Sequence, residues 1–424
     1  MTPTAPPEGA PHRPPRLPRP HPVPRLAEPG FPLPGPGTAS PDAFWADVRR
    51  LGTPLVAPDP HGSPEHRAVT FLWRGTAATR AVQVLPNKLA DPRDPEGNLM
   101  TRAPGTDIWH WTVRLRHDWR GTYDFGVDEG DGPERGGPGY WSWLRGRRRT
   151  DPYNPRTLPR RWGGEPLSCA ALPAAPGAED WRYRAEVPHG EVTGHKVASA
   201  RLGTVRRVWL YTPPATTAPP SHGYPVLVLL DGEHWQPRLG VATLLDNLIA
   251  DGRIPPLVAV LPDSVDARTR WRELSCRPAF AAFLTQELLP WAAGLVPVTD
   301  DPALTVVAGQ SLGGLTAAYA AVEAPHRFGN VLAQSGSFWW PDGPAAEWLT
   351  GRLAASPRLP VRFRLSFGEQ EWVALPAARR LRDTLAAKGY GDAVHREFNG
   401  GHDYLCWRTE LGDGLVELFA GSTR

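Results

Sequence analysis

The sequence predicts an α/β domain with a mostly parallel sheet, preceded by a smaller all-β sandwich domain. Three observations carry this. Between residues 68 and 125, short β-branched and aromatic runs recur at close spacing, the pattern of a small sandwich. From Glu191 onward, apolar strand-like runs alternate with helical patterns, which implies βαβ units. Between Pro155 and Pro176, proline, glycine and alanine dominate and mark a boundary. A chain of 424 residues has room for roughly two to three domains at about 150 residues each. The expected partition is a tail at 1–39, the sandwich at 40–175 and the α/β domain at 180–424.

Residues 1–40 hold 14 of the 51 prolines and almost no apolar periodicity, so this tail is expected to be disordered or polyproline-like. Ser40-Pro41-Asp42 opens like a capped helix that runs to Leu51. Strands are expected at 68–74, 80–85, 108–116 and 121–125. In 108–116, Ile108, His110, Thr112, Arg114 and Arg116 share one face; Trp109, Trp111, Val113 and Leu115 share the other. A glycine-rich loop follows at 130–139. Tyr140-Trp-Ser-Trp-Leu-Arg-Gly-Arg-Arg-Arg149 then sets three aromatics beside four arginines. It reads either as a solvated loop with aromatic packing, or as a cationic surface through Arg147, Arg148 and Arg149 for an anionic aryl ligand.

In the second half, residues 192–201 and 205–211 read as an antiparallel pair. The continuous apolar run at 224–231 reads as a strand buried on both faces, 257–261 and 304–308 read as further buried strands, and 329–334 and 361–367 complete the strands. Helical spacing is expected at 239–249, 280–291, 315–322 and 377–388.

Composition excludes several classes. A net charge of +3 gives no global sign of a nucleic-acid partner. Lysine occurs only at 88, 196 and 388, so the many arginines reflect compositional bias rather than function. Three scattered cysteines make neither a disulfide framework nor a metal cluster. No apolar run approaches the ~20 residues of a membrane span, and no secretory h-region is visible. The expectation is a soluble cytoplasmic protein.

The centre of the chain is Gly309-Gln310-Ser311-Leu312-Gly313, which fits G-x-S-x-G between a strand and a helix. In that context the motif is a nucleophile elbow of the α/β-hydrolase fold, with Ser311 as nucleophile. The turn is sharp, so a side chain at 309 or 313 is expected to collide with its neighbours. Serine needs a base, normally histidine held by a carboxylate, and in this fold the order is Ser, acid, His. Downstream histidines are His326, His395 and His402. His326 closes the helix after the elbow and His395 lies in a strand-like run. His402, in Asn399-Gly-Gly-His-Asp, follows that strand in a glycine-rich loop where the base belongs. Glu369 and Glu371 both follow the 361–367 strand; Glu371 is favoured because it lies further into the loop and leaves Gly368 free to turn. Asp403 is a poor orienter of the adjacent histidine. The oxyanion donors are the N–H of Leu312 and one from Asp231-Gly232-Glu233-His234-Trp235, assigned to Glu233. His234 has no companion ligands nearby, so neither a metal nor a cofactor is expected.

Several motifs together resemble the enterochelin (ferric enterobactin) esterases: Val307-Ala-Gly-Gln-Ser-Leu-Gly-Gly-Leu, Leu230-Asp-Gly-Glu-His-Trp, Arg270-Trp-Arg-Glu-Leu, Gly368-Glu-Gln-Glu-Trp and Gly400-Gly-His-Asp-Tyr. In the first half, Phe71-Leu-Trp-Arg, Asn87-Lys-Leu and Asp151-Pro-Tyr-Asn-Pro match the same family. The likeness spans roughly 40–420 and omits the proline-rich tail. It implies hydrolysis, inside the cell, of the ester bonds of a ferric catecholate siderophore, with iron present only as part of that substrate. It supports Ser311, Glu371 and His402 as the triad and places Arg270 near the site; Trp235 is expected as a further substrate contact. Two rivals stand beside it: an esterase or acyltransferase acting on another acyl group, and a non-catalytic ligand carrier.

Overall fold

The structure, a computed structural model, describes residues 13–34, 41–91 and 93–420. It divides into two compact units. One is built on Gly177–Phe398, with Trp407 onward and the segment up to Leu17. The other comprises Pro18–Pro176 together with Asn399–Cys406.

The larger unit carries an eight-stranded sheet. Its strands are β1 (Glu191–Ser199), β2 (Thr204–Thr212), β3 (Val226–Leu229), β4 (Val258–Pro262), β5 (Thr305–Gln310), β6 (Asn330–Gln334), β7 (Arg362–Gly368) and β8 (Val394–Phe398). The order is β1-β2-β4-β3-β5-β6-β7-β8. β1 pairs antiparallel with β2, and β2 antiparallel with β4. All later pairings are parallel. The central strands β3 to β6 are buried along their whole length, because helices cover both faces. Val226, Val228, Val260, Val307 and Val331 lie in one core with Leu315, Ala318 and Phe338. The helices used below are α1 (Gly232–Trp235), α2 (Ala267–Glu273), α3 (Leu312–Glu323) and α4 (Tyr404–Phe419). The helix expected over 280–291 is interrupted: Pro278–Phe283 and Leu289–Ala293 flank a π-helical turn at Leu284–Leu288. Pro290, within the second piece, cannot donate a helical hydrogen bond.

In the smaller unit the strands form three antiparallel sheets. One joins Arg25–Leu26, Ile108–Arg116, His66–Arg74 and Leu55–Pro58, with Thr101–Arg102 on Ile108–Arg116. Another joins Thr157–Leu158, Leu167–Ala171 and Arg120–Tyr123; the third joins Ala81–Val84, Phe125–Asp128 and Arg148–Arg149. Phe71, Trp111, Trp119, Tyr123 and Phe125 fill the core between them. The second face of Ile108–Arg116 is covered too: Ile108 packs with Trp45 and Leu72. Much of the tryptophan richness is therefore structural, since Trp45, Trp111, Trp119, Trp235 and Trp340 are fully buried.

Two expectations change here, and one falls outside the described residues. The tail is ordered over the described residues 13–34. Arg25–Leu26 adds an edge strand beside Val113 and Thr112, and Arg19 Nη1 donates to the Lys88 carbonyl at 2.5 Å. Docking through backbone and arginine hydrogen bonds needs no apolar periodicity, and prolines are tolerated at a sheet edge. The cap assigned to Ser40 lies outside the described residues. The 140–149 stretch is not a loop: Tyr140–Gly146 is helical with Tyr140 and Leu144 buried, and Arg148–Arg149 is a strand.

Candidate active site

Ser311 stands between β5 and α3 with φ 59° and ψ −123°, a strained conformation for a non-glycine residue. Neighbouring strands hold it there. Its N–H donates to the Gln334 carbonyl at 2.9 Å, and its carbonyl accepts from Ser337 N at 2.9 Å. A Cβ on Gly309 would sit 2.6 Å from the backbone of Gly313, so that glycine is obligatory. At Gly313 itself, contrary to expectation, the nearest atom is 3.4 Å away, an ordinary contact; the tighter site is Gly314, 3.0 Å from Gly336. Gly309→Ala is thus expected to cost about 1–3 kcal/mol of stability and on the order of 10²-fold in kcat through misplacement of Ser311. Gly313→Ala should be close to neutral. Thermal melts and steady-state kinetics of the two variants check the contrast.

Leu312 is the first residue of α3, so its N–H has no acceptor in a preceding turn and is available at the elbow. Glu233 lies in α1, which starts straight after Asp231 at the end of β3; its carboxylate accepts from Ser264 N at 3.1 Å. Beneath the elbow lies a buried polar network. Arg270, on α2, makes a two-pronged ion pair with Asp231, Nε to Oδ1 at 2.8 Å and Nη2 to Oδ2 at 2.7 Å. Arg270 Nη2 also donates to the Gln310 carbonyl at 3.2 Å. The Gln310 amide donates to Asp231 Oδ2 at 2.6 Å, and its oxygen accepts from Trp235 Nε1 at 3.0 Å. Ser264 Oγ completes the cluster on Asp231 Oδ1 at 2.6 Å. The loops after β3, β4 and β5 are thereby locked together.

Two residues assigned as substrate contacts lie in this network. Trp235 has no exposed surface and stacks on Trp181, so it braces Gln310 rather than touching a ligand. Arg270 is buried, with its guanidinium committed to Asp231 and Gln310. Asp231 and Gln310 were missed. Their signal was adjacency to the two oxyanion segments, but nothing in the chain order links them.

After β7, Glu371 is buried, and Oε1 accepts from Ser335 Oγ at 2.5 Å and from Gly368 N at 2.9 Å. Ser335 Oγ in turn accepts from Trp407 Nε1 at 2.8 Å. Glu369 is half-buried and its N–H continues the β7–β8 ladder to the Phe398 carbonyl. His395, within β8, bonds Glu397 at 3.0 Å and stacks on Phe367; burial pushes its pKa down.

The segment carrying His402 groups with the smaller unit, not with the 180–424 domain expected for it. Its anchors explain why. Asn87 Nδ2 donates to the His402 carbonyl at 2.9 Å. Asp403 accepts from Thr122 N at 2.5 Å and Thr122 Oγ1 at 2.8 Å, while burial pushes its carboxyl pKa up. Asn399 donates to Asp118 at 2.6 Å. Asp403 thus fixes the loop rather than the imidazole. Asn87 belongs to the Asn87-Lys-Leu motif, and its role depends on a contact 315 positions away.

The three arginines of the first half are all engaged. Arg148 pairs with buried Asp124 at 2.6 Å, a residue Arg160 also meets. Arg147 pairs with Asp131 and covers the Trp143 ring at 5.1 Å. Arg149 lies 3.9 Å from Glu129 and 3.8 Å from Glu165. The expected unopposed cationic surface is therefore a set of ion pairs. Among the described residues, no group of three or more His, Cys, Asp or Glu could hold a metal ion, and no helix is long and apolar enough to cross a membrane.

The sheet order, with a strained serine at the end of its central strand, defines an α/β-hydrolase. Comparison with known proteins narrows the class. The "Enterochelin esterase, N-terminal" family model matches residues 68–181, and the "Esterase" model matches 199–418. The chain is 36% identical over 422 residues to the iron(III) enterobactin esterase of Dickeya dadantii, covering 90% of this chain and 94% of that protein. It superposes on the ferric enterobactin esterase of Salmonella typhimurium with a TM-score of 0.78 at 32% identity, covering 90% and 99% of the two chains. The enterobactin esterase of Shigella flexneri, crystallised in the presence of enterobactin, gives 0.74 at 34% identity, covering 85% and 94%. The chain belongs to the iron(III) enterobactin esterase family.

Proposed function

We propose that this protein is a serine esterase that hydrolyses the ester bonds of a ferric catecholate trilactone siderophore and so frees iron inside the cell. The observation that carries the reading is the strained Ser311 elbow within a chain similar to enterobactin esterases over nine-tenths of its length. Ser311 Oγ attacks a lactone carbonyl. His402 accepts the serine proton and returns it to the departing alkoxide. Glu371, held by Ser335 and Gly368, orients the imidazole. The N–H groups of Leu312 and Glu233 receive the oxyanion; loss of one such donor typically costs on the order of 10²–10³ in turnover. Water then resolves the acyl-enzyme. Iron enters as part of the substrate, and the chemistry calls on no cofactor. A cytoplasmic site of action is supported by three buried free thiols.

A mass-spectrometric product assay tests this. Ferric and iron-free catecholate trilactones are offered alongside feruloyl, acetyl and longer acyl esters. The expected result is opening of the trilactone, one water added per bond cut, with the simple esters turned over far more slowly. Rapid cleavage of the simple esters with the trilactone left intact would replace the substrate assignment.

A further inference from the structure

Helix α2 presents two different faces. Its inner face carries Thr269, Arg270 and Glu273, all buried, and Arg270 reaches the residue before Ser311. Its outer face carries Arg268 and Arg272, both exposed and four residues apart, so they stand on adjacent turns. Trp271, half-buried, packs against the core between them. These three side chains and Arg13, from the proline-rich segment, line a cavity of about 470 Å³, within the size range of small-molecule sites. The segment is tethered in the same unit: the Leu17 carbonyl accepts from Trp372 Nε1 at 3.1 Å, one residue from Glu371.

The charges here differ from those of the arginines placed in ion pairs above. Arg147, Arg148, Arg206, Arg270 and Arg364 each meet a carboxylate. No ion pair involves Arg13, Arg268 or Arg272 among the described residues. The nearby Asp266 caps the helix by accepting from Thr269 N at 2.7 Å. Arg272 is attracted to Asp266 and Glu273; Arg13 and Arg268 bring two further cations to the cavity, and a bound anion lowers the repulsion among them. Guanidinium groups pair with oxyanions in plane and stack on aromatic rings, and an indole supplies an apolar wall.

We propose that Arg13, Arg268, Trp271 and Arg272 form a binding site for an anionic aromatic ligand of the catechol class, on the outer face of the helix that braces the elbow. The choice of ligand, though not the existence of the site, rests on the function proposed above. The site makes the proline-rich segment, which lies outside the family likeness, a working part of the molecule.

Isothermal titration of the full chain carrying Ser311→Ala, with 2,3-dihydroxybenzoate as probe, tests it. The expected result is that adding Arg268→Ala and Arg272→Ala together weakens binding by about tenfold or more, as does raising the salt, and that Arg13→Ala alone weakens it about threefold. Trp271→Phe is expected to remove the quenching of tryptophan emission on binding. Circular dichroism melts of these exposed-site variants establish that they fold. Unchanged affinity in the double variant overturns the site. Binding of inorganic phosphate as tight as that of the catechol, with the same arginine dependence, overturns the aromatic class. Arginine-dependent catechol binding in a protein whose parent cuts no trilactone leaves the site standing and removes the proposed function. Trilactone cleavage by the parent, with unaltered binding in the variants, does the reverse.

Discussion

Ser311→Ala is expected to lower kcat for the trilactone by on the order of 10⁵-fold or more, with ligand affinity retained. The size follows from the absence of a substitute. Ser335, the neighbouring hydroxyl at the end of β6, is fully buried, and its Oγ is bound to Glu371 and Trp407. No other hydroxyl occupies the turn whose φ of 59° lifts residue 311 above the sheet. What survives is the contribution of oxyanion donors and binding, about 10³–10⁴ over water. Single-turnover kinetics with titration calorimetry on the same sample give both quantities. Turnover within tenfold of the parent would remove Ser311 from the mechanism, and with it the roles given to His402 and Glu371.

Asp231→Asn should lower stability by about 3–5 kcal/mol, because it leaves the Arg270 cation buried without its counter-charge. Asparagine tolerates the left-handed conformation that Asp231 adopts, φ 66°, so the loss isolates the charge from the backbone. For a unit of this size each kcal/mol is worth roughly 2–4 °C in Tm. Turnover should fall as well, since Asp231 and Gln310 tie the oxyanion loop to the residue preceding the nucleophile. Adding Arg270→Met should recover part of the stability, because removing both charges is far cheaper than removing one. Denaturant unfolding of the single and double variants forms the cycle. Strict additivity of the two single effects would mean that the ion pair does not couple these loops.

Strands β3 to β5 were legible because each is built on an apolar run, and a strand covered on both faces leaves no other pattern, whereas β7 alternates polar and apolar residues and was read from its place in the βαβ order. The elbow was legible because its backbone demand is local: Gly309 must lack a side chain where it meets Gly313 at 2.6 Å. Of the two glutamates after β7, Glu371 is buried and Glu369 half-buried. The arginines misled. One of the two readings of the 140–149 stretch made Arg147, Arg148 and Arg149 a cationic surface, yet a carboxylate partner lies 24 positions away for Arg148 and 16 for Arg147. Pairing at such separations leaves no periodic trace. The same holds for Trp235, whose side-chain partner Gln310 is 75 positions away.

Local chemistry therefore carried the fold class. Strand runs and glycine spacing are near-neighbour properties of the chain, and they suffice to specify an α/β-hydrolase elbow at Ser311. How those residues are held depended on long-range folding. The Asp231–Arg270–Gln310 network joins three loops, and Asn87 and Thr122 anchor the His402 loop from some 280 to 315 positions away. The proline-rich segment, empty of periodicity, gained its place through hydrogen bonds with residues distant in sequence and through the packing of Val23, Phe31 and Leu33. Such contacts are set by where the chain returns in space, and adjacent residues carry no record of them.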